Sequence, residues 1–400
     1  MMNYLLEAFR QSIYAIGNSD PNPPVGAVIV DKVGRLIGAG YTQAHGSHHA
    51  EIMAIESAKR NFGLRSLADS TLFVTLEPCS HYGKTPPCTL AIVDSKIARV
   101  VIGSRDFSGK VDGVSCLVNA GVDVEISGKE FFKEELLWTL DAFHFVNRNK
   151  RPRIFLKWAQ TRNGNVAPKM GTSGPISGKE SQELVFRMRK MFQCVLATPG
   201  TVYDDRPLLN PRYKGIPVSG IRQKNFFSEI LLAFESNYPE ALRNRNKRFL
   251  MMPSFSKNWQ AGDLQKYIKL QESLPGQFFL ITDDKNVLNA MGDHKKNGFL
   301  VKNYDDLDSL FSFVYENGAI NLMIEAGPGF SEKIWGRGFV DFAIAFESTE
   351  KIWNEGRSFQ ASRAIAANDE KYFLDHGYQQ LYRYSLAGDD LRIYKKDESL

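Results

Sequence analysis

Three residues able to bind zinc occur in three short motifs within the first hundred residues. The motif H-A-E occupies 49–51, and two thiols follow in E-P-C at 77–79 and T-P-P-C at 85–88. One imidazole and two thiolates fill three of zinc's four tetrahedral positions and leave the fourth open to water, as in catalytic rather than structural sites. We therefore predict a catalytic zinc site with His49, Cys79 and Cys88 as its ligands.

Glu51 lies two residues after the predicted ligand His49, in the first turn of a predicted helix. From a first turn, both side chains can reach a metal held beyond the helix end. A carboxylate in that place can take a proton from water and pass it to a leaving amine. Zinc deaminases use this division of labour with the signature H-x-E…P-C-x-x-C, although here eight residues separate the two cysteines. The pattern predicts hydrolytic deamination with Glu51 as the proton shuttle.

Two other interpretations of the zinc motifs remain open at this stage. A closed structural site would need a fourth ligand, for which His48, His81 or Cys116 are the candidates. The motifs could also hold no metal. We expect His45 and His48 to be polar loop residues rather than ligands.

The elements that carry these motifs alternate between strand and helix. Short apolar runs at 25–30, 71–75 and 99–102 predict buried strands. A helix is predicted over 50–60, and a second short helix contains 91–93. The alternation indicates an α/β domain with a largely buried sheet, in which His49 and Cys88 lie at helix N-termini. Such positions favour ionised thiols.

A second domain is predicted after a polar segment at 147–152 that ends in proline. We place the domains at 1–148 and 151–400. Further strands are expected at 154–158, 194–197, 278–282 and 321–325, with a helix over 180–191. Residues 213–276 show weak periodicity, and we interpret them as a variable excursion of the second domain.

The composition is that of a folded protein. The 400 residues are 43% hydrophobic and 12% aromatic, which excludes intrinsic disorder, and about 150 residues per domain gives two or three domains. No apolar run approaches the roughly 18 residues of a membrane span, and the N-terminus lacks the basic segment of a signal peptide. Four cysteines are too few for a disulfide scaffold. We expect a cytoplasmic protein.

The formal net charge of +5 is unevenly distributed. Residues 1–150 contain 15 Lys and Arg against 16 Asp and Glu, whereas the remainder contains 35 against 29. A nucleic-acid-binding protein normally concentrates basic residues around its working site, and the first 150 residues have no such excess. The charge of the first half argues against a nucleic-acid partner, and the more basic second half suits a phosphorylated ligand.

The first domain resembles the deaminase domain of the bifunctional riboflavin biosynthesis (RibD) family. The matching segments are E-P-C-S-H-Y-G-K-T-P-P-C at 77–88, P-N-P-P-V-G at 21–26 and D-F-S-G-K-V-D-G at 106–113. The resemblance implies a cytidine-deaminase-like three-layer α/β fold and zinc as a cofactor. It also implies that Asn22 contacts the pyrimidine of the substrate.

The resemblance continues through the second half, which it identifies as an α/β reductase domain with a dihydrofolate-reductase-like fold. The matching segments include K-W-A-Q-T at 157–161, D-R-P-L-L at 205–209 and I-E-A-G-P-G at 324–329. It implies a ribosyl phosphate substrate held by Ser173, Arg189, Leu209, Arg212 and Glu325. It implies NADPH in contact with Ala159, Thr201, Asp205 and Gly327. Forked guanidinium groups suit a phosphate, and glycines at the start of a helix let backbone N–H groups approach a cofactor phosphate.

By this resemblance the chain is a two-step enzyme. It would deaminate a diaminopyrimidine ribosyl 5′-phosphate and then reduce the ribosyl group to ribityl with NADPH. The family also implies a homo-oligomer, and we expect neither a nucleic-acid nor a membrane partner. Neither a G-x-G-x-x-G nor a G-x-x-x-x-G-K-[ST] motif suggests a different nucleotide-binding fold.

Three positions depart from the family pattern. Thr42 replaces a histidine, Asn163 replaces an aspartate and Pro175 replaces a tryptophan. The last two leave open an alternative in which only the deaminase works and the second domain is a scaffold. Two further alternatives are a nucleic-acid base deaminase and a zinc-stabilised binding module, and the second of these would unfold on chelation.

Overall fold

The computed structural model describes residues 2–63, 67–127, 132–168, 175–192, 194–211, 218, 221, 225–236, 246–301 and 306–397. The chain divides into two compact units, Met1–Lys150 and Arg151–Leu400. No helix among the described residues is long and apolar enough to cross a membrane.

The first unit is built on a five-stranded sheet in the order β2-β1-β3-β4-β5. Its strands are β1 (Gly26–Val30), β2 (Leu36–Tyr41), β3 (Thr71–Leu76), β4 (Arg99–Ser104) and β5 (Asp123–Ile126). Strand β1 runs antiparallel to both of its neighbours, whereas β3, β4 and β5 are mutually parallel. The three apolar runs expected to be strands are the three central strands, and every residue of β1 is buried.

Helices cover both faces of this sheet. They are α1 (Met2–Ser12), α2 (Ala50–Phe62), α3 (Cys88–Asp94), α4 (Gly113–Asn119), α5 (Lys133–Thr139) and α6 (Asp141–Asn149), with a 3₁₀ turn at Ile13–Ala15. A Cβ on Gly26 would lie 1.9 Å from the Ala8 carbonyl oxygen of α1, and one on Gly40 would collide with α2. Gly40 pairs with Ala27, the residue after Gly26. Because successive strand residues face opposite sides, α1 and α2 pack on opposite faces, which makes three layers.

The second unit contains a nine-stranded sheet in the order β11-β10-β9-β8-β12-β6-β13-β16-β15. The strands are β6 (Arg153–Gln160), β8 (Cys194–Ala197), β9 (Lys247–Met251), β10 (Gln277–Thr282), β11 (Gly298–Leu300), β12 (Asn321–Glu325), β13 (Phe342–Ser348), β15 (Tyr378–Leu386) and β16 (Asp389–Lys396). The seven strands from β11 to β13 are parallel, and β16 and β15 complete the sheet antiparallel. A separate pair joins β7 (Ala167–Pro168) to β14 (Gly356–Arg357).

Helices alternate with these strands along the chain. They are α7 (Lys179–Phe192), α8 (Pro199–Asp205), α9 (Phe226–Ser236), α10 (Ala261–Glu272), α11 (Lys285–Ala290), α12 (Leu307–Glu316), α13 (Pro328–Gly336), α14 (Gln360–Ala366) and α15 (Glu370–Asp375), with a 3₁₀ segment at Gly292–Asn297. The predicted helical face of α7, which contains Leu184, Met188 and Met191, is buried.

Two expectations need correction, one about the second unit and one about the end of the first. Part of 213–276 is not an excursion, because β9 lies inside the sheet between β8 and β10 and its Phe249, Leu250 and Met251 are fully buried. The polar segment predicted over 147–152 is helical as far as Asn149, and Lys150 ends α6 with a left-handed φ of 55°. The hydrophobic pattern did not predict β9 because charged residues precede its short apolar run. It did not predict the end of α6 because the residues there are polar.

Candidate active sites

The three predicted zinc ligands converge in the first unit. Nδ1 of His49 lies 3.6 Å from Sγ of Cys79 and 3.4 Å from Sγ of Cys88. All three potential ligand atoms lie within 4.8 Å of one another, close enough to share one ion. Among the described residues, no fourth His, Cys, Asp or Glu joins this group. The three-donor set suits zinc with one open position.

The surrounding elements fix each ligand. His49 is the N-cap of α2, and its side chain makes no capping hydrogen bond, which leaves the imidazole available to a metal. Cys88 is the first residue of α3, and its backbone N–H donates to Sγ of Cys79 at 3.3 Å. The next N–H, of Thr89, donates to the Cys79 carbonyl oxygen at 3.3 Å. The turn after β3 is therefore tied to the N-terminus of α3, which brings two cysteines nine positions apart together.

The local electrostatics favour a thiolate. Hydrogen bonding to the Cys88 side chain, supported by His49, lowers the pKa of the Cys79 thiol to about 4. The same sulfur, as a hydrogen-bond partner, raises the pKa of His49 above its ordinary value. Zinc binds thiolates, and a divalent cation held between the two sulfurs would let both ionise.

Glu51 lies on the first turn of α2 and is 4% exposed. Burial raises the pKa of its carboxyl group to about 7, although the nearby His49 opposes that shift. A carboxyl group with a pKa near neutrality can both accept and donate a proton at physiological pH. Its position and its pKa therefore both suit a proton shuttle.

The remaining histidines and cysteines of this unit lie apart from the ligand group. Nδ1 of His48 is 3.6 Å from a carboxylate oxygen of Glu56 on α2. Cys116 and His81 are exposed. Oδ1 of Asn22, the residue implied to contact the pyrimidine, lies 3.3 Å from Nδ1 of His45.

Glu77 is a residue of this site to which the sequence assigned no role. Its carboxylate is 5% exposed and accepts the backbone N–H groups of Asp106 at 3.3 Å and Val114 at 3.1 Å. Its own N–H donates to the Ser104 carbonyl oxygen at the end of β4. The sequence does place a charged residue directly after an apolar strand and two positions before a ligand cysteine. Its hydrogen-bond partners could not be predicted, because they lie 29 and 37 positions away.

The residues implied to bind NADPH lie around one edge of the second sheet. Ala159 is near the end of β6, Thr201 and Asp205 are on α8 directly after β8, and Gly327 is the N-cap of α13 directly after β12. Because β6, β8 and β12 are parallel neighbours, their carboxyl ends share an edge, where α/β sheets bind ligands. A Cβ on Gly327 would meet no atom within 4 Å, so a cofactor can approach the backbone at the N-terminus of α13. This edge fits a dinucleotide.

A buried ion cluster lies at the same edge. Nε of Arg189 on α7 donates to Oε1 of Glu325 at 2.7 Å, and Nζ of Lys157 on β6 lies 3.6 Å from Oε2 of Glu325. Burial alone would raise the pKa of Glu325, but Arg189 and Lys157 outweigh it and lower that pKa to about 2. Burial raises the pKa of Asp205, and Asp204 and Glu325 add to the shift. Lys157 belongs to the matching K-W-A-Q-T segment, but the sequence assigned it no role.

The other implied substrate residues are only partly described. Leu209 is fully buried and has a left-handed φ of 52°, which is a strained backbone conformation for a bulky side chain. Ser173 and Arg212 lie outside the described residues.

The departure at Asn163 has a structural explanation. Its Oδ1 accepts the Thr161 hydroxyl at 2.7 Å, and its Nδ2 donates to the Trp353 carbonyl oxygen at 2.7 Å. An aspartate could accept from Thr161 but could not donate to Trp353. The same loop reaches the second departure, because Lys351 donates to the carbonyl oxygen of Pro175.

Comparison with known proteins assigns the first unit to a class. A family model described as the cytidine and deoxycytidylate deaminase zinc-binding region matches residues 2–104. The match spans both His49 and the two cysteines. The first unit is therefore a zinc-binding deaminase of the cytidine deaminase class, and a second unit with a reductase-like fold follows it.

Comparisons with individual relatives and with a solved structure extend over the second unit as well. The riboflavin biosynthesis protein RibD of Aquifex aeolicus is 33% identical over 360 residues, which are 89% of this chain and 88% of that protein. RibD of Actinobacillus pleuropneumoniae is 35% identical over 218 residues, 53% of this chain and 54% of its own. A crystal structure of a diaminohydroxyphosphoribosylaminopyrimidine deaminase/5-amino-6-(5-phosphoribosylamino)uracil reductase from Thermotoga maritima is 26% identical, with a TM-score of 0.75 over 99% of this chain and 98% of that one.

The chain belongs to the RibD family of riboflavin biosynthesis proteins. It is a bifunctional enzyme, with a zinc-dependent deaminase unit followed by an NADPH-dependent reductase unit.

Proposed function

We propose that the first unit hydrolyses the ring amine of a diaminopyrimidine ribosyl 5′-phosphate and that the second unit reduces the ribosyl group of the product to ribityl. The substrate class follows the activity for which the Thermotoga relative is named. The observation that carries the deaminase assignment is the convergence of one imidazole and two sulfurs next to a buried carboxyl group with a pKa of about 7.

In the deaminase unit, His49, Cys79 and Cys88 hold the metal, and Asn22 contacts the pyrimidine. A bound zinc ion supplies Lewis acidity and an open coordination position. Glu51 accepts a proton from the attacking water and delivers it to the departing nitrogen. The bond between the ring carbon and its exocyclic amino nitrogen breaks, the same carbon gains a C–O bond from the water, and the amine leaves as ammonia.

In the reductase unit, NADPH supplies the hydride. Ala159, Thr201, Asp205 and Gly327 line the cofactor, and Ser173, Arg189, Leu209, Arg212 and Glu325 hold the ribosyl phosphate. Lys157 and Arg189 keep Glu325 ionised, which fixes a negative charge at the edge of the sheet. The enzyme acts on small molecules in the cytoplasm as a homo-oligomer, without nucleic-acid or membrane partners.

The decisive variant for the deaminase is Glu51→Gln, which keeps the size of the side chain and removes the proton carrier. Loss of a positioned acid–base group typically costs about 10²–10⁴-fold in rate. We expect ammonia release to fall by at least about a hundredfold while zinc content, measured by elemental analysis, stays at one per chain. Glu56→Gln on the same helix is the matched control and should retain full activity. Normal turnover by Glu51→Gln would refute the assigned role.

The reductase is tested by supplying the deaminated substrate with NADPH and following the cofactor absorbance. We expect oxidation of one NADPH per substrate. No oxidation would favour the alternative in which the second unit is a scaffold and only the deaminase works.

A further inference from the structure

The loop between β2 and α2, residues 42–49, connects two parts of the deaminase site. It ends at the metal ligand His49 and carries His45 near its centre. Nδ1 of His45 lies 3.3 Å from Oδ1 of Asn22. The Asn22 backbone is fixed separately, because its N–H donates to the Ser19 carbonyl oxygen at 2.9 Å and the Ser19 hydroxyl donates to the Asn22 carbonyl oxygen at 2.9 Å. The backbone at position 22 is thus set by its own turn, and the side-chain amide lies within hydrogen-bond distance of the exposed His45 ring.

The loop presents His45 in a defined place. The N–H of Gln43 donates to the His48 carbonyl oxygen at 2.9 Å, and the N–H of Ser47 donates to the Ala44 carbonyl oxygen at 2.8 Å. These two bonds close a turn with His45 at its tip. Gly46 completes the turn with a φ of 85°, and a Cβ there would lie 3.3 Å from the Lys84 side chain. Thr42, at the start of the same loop, does not contact Asn22 in this way. It is buried, and its hydroxyl lies 3.4 Å from the Val25 carbonyl oxygen.

A primary amide has an accepting end and a donating end, and its function depends on which end faces the ligand. A neutral imidazole that carries its proton on Nδ1 donates to Oδ1 of Asn22. This bond leaves the two N–H groups of Nδ2 for another acceptor. Without such a partner the amide can rotate and present its oxygen instead.

We propose that His45 is a positioning residue for the deaminase, which orients the Asn22 amide so that its NH₂ group faces an acceptor atom of the pyrimidine. The inference rests on the proposed function of Asn22. It gives His45 a part in substrate specificity. A pyrimidine that presents a carbonyl oxygen or an unprotonated ring nitrogen to the Asn22 NH₂ group is bound, and one that presents a hydrogen-bond donor to it is not.

Four substitutions test this orientation through ammonia-release kinetics. His45→Ala removes one neutral hydrogen bond, so kcat/KM should fall about two- to tenfold. The loss should appear mainly in KM, because the bond orients bound substrate and moves no proton. His45→Asn places an amide N–H where Nδ1 stood and should restore most of the loss. His45→Asp offers only acceptors, should turn the Asn22 amide around, and should bind substrate more weakly than His45→Ala. Ser47→Ala, in the same loop, is the control and should match the wild type.

A double-mutant cycle separates positioning from a merely structural role. In an Asn22→Ala background, His45→Ala should have no further effect on KM, because the amide that it orients is gone. Additive losses in the double variant, or equal KM values for the Asn and Asp variants at position 45, would overturn the proposal. Zinc content should be unchanged in every variant.

A second measurement does not depend on catalysis. In protein labelled with ¹⁵N-histidine, the two-bond proton–nitrogen correlations report which nitrogen of His45 carries the proton. We expect Nδ1–H in the wild type and a shift to Nε2–H in Asn22→Ala. If the wild type released no ammonia while His45 showed Nδ1–H, the proposed function would fail and the His45–Asn22 pairing would stand. Nε2–H in the wild type would reject the pairing itself.

Discussion

The carboxylate of Glu325 at the end of β12 is 14% exposed and meets cations from two neighbouring elements, Arg189 of α7 and Lys157 of β6. Removing its charge leaves both cations without their partner in a buried place. Breaking a buried pair by removing one member typically costs about 3–5 kcal/mol. We expect Glu325→Gln to destabilise the second unit by about 3 kcal/mol at pH 7.

The pH dependence of that loss follows from the pKa of Glu325, which is lowered from 4.5 to about 2. A carboxylate with a lowered pKa stabilises the folded state above its unfolded pKa, and the contribution disappears as the pH falls through the folded value. The difference between wild type and Glu325→Gln should shrink to about half by pH 3. Urea unfolding followed by tryptophan fluorescence measures it, because Trp158, Trp259, Trp335 and Trp353 lie in this unit. A difference that stays constant between pH 7 and pH 3 would contradict the ion-pair assignment.

At the level of single residues, the sequence predicted the chemistry that is encoded within short motifs. His49, Cys79 and Cys88 were expected to meet because their residue types and neighbours are distinctive, and the structure brings them together. The cation partners of Glu325 were not foreseen, since Arg189 is 136 positions away and single arginines are common on helix surfaces. Arg189 is in fact buried, and its Nε is committed to Glu325.

At the level of elements, Glu77 joins the metal-ligand turn to the loop between β4 and α4. We call this set of contacts the Glu77 clamp. A further hydrogen bond belongs to it, because the N–H of Asp112 donates to the Ser80 hydroxyl oxygen at 2.9 Å. A Cβ on Gly113 would lie 2.0 Å from the Pro78 carbonyl oxygen, so this close approach requires glycine. These contacts therefore hold the turn that carries Cys79 and the loop 105–113 together.

Glu77→Gln tests this clamp. An amide has one accepting oxygen, so one of the N–H groups of Asp106 and Val114 would face an NH₂ group and lose its partner. An unsatisfied buried donor costs about 1–3 kcal/mol. We expect faster amide hydrogen exchange at Asp106 and Val114 and faster loss of zinc to a chelator. Glu56→Gln, on the exposed side of α2, should change neither quantity. Unchanged exchange at both amides in Glu77→Gln would show that the clamp contributes nothing.

Elements with a strong hydrophobic pattern were predictable from sequence, and those defined by their neighbours were not. Strand β12 and the helix α7 were expected within a residue of their observed bounds. Strand β9 was missed because Lys247-Arg248 opens it and only four apolar residues follow before Pro253. Arg248 is nevertheless buried in the sheet, where it donates to the carbonyl oxygens of Pro275 and Gln271. Tertiary hydrogen bonds of this kind leave no local periodicity.

At the level of the whole molecule, the two candidate sites draw on separate units. All three metal ligands and Glu51 belong to Met1–Lys150, and the residues implied to hold NADPH belong to Arg151–Leu400. The first unit also has an apolar core independent of the metal, in which Ala8 and Phe9 of α1 and Val28 of β1 are fully buried. We therefore expect zinc to be needed for chemistry rather than for folding.

Metal removal tests this separation directly. After treatment with a strong chelator, ammonia release should fall below about 1% of its starting value, since no residue replaces the Lewis acid. The rate of NADPH oxidation with deaminated substrate should stay within about twofold of the untreated enzyme, because the residues implied to carry it belong to Arg151–Leu400 and the metal ligands to Met1–Lys150. Far-UV circular dichroism should be unchanged, and zinc should restore ammonia release. Unfolding of the first unit on chelation would instead favour a zinc-stabilised binding module, for which the metal supplies folding energy. A parallel loss of both activities would show that the two sites depend on each other through the metal.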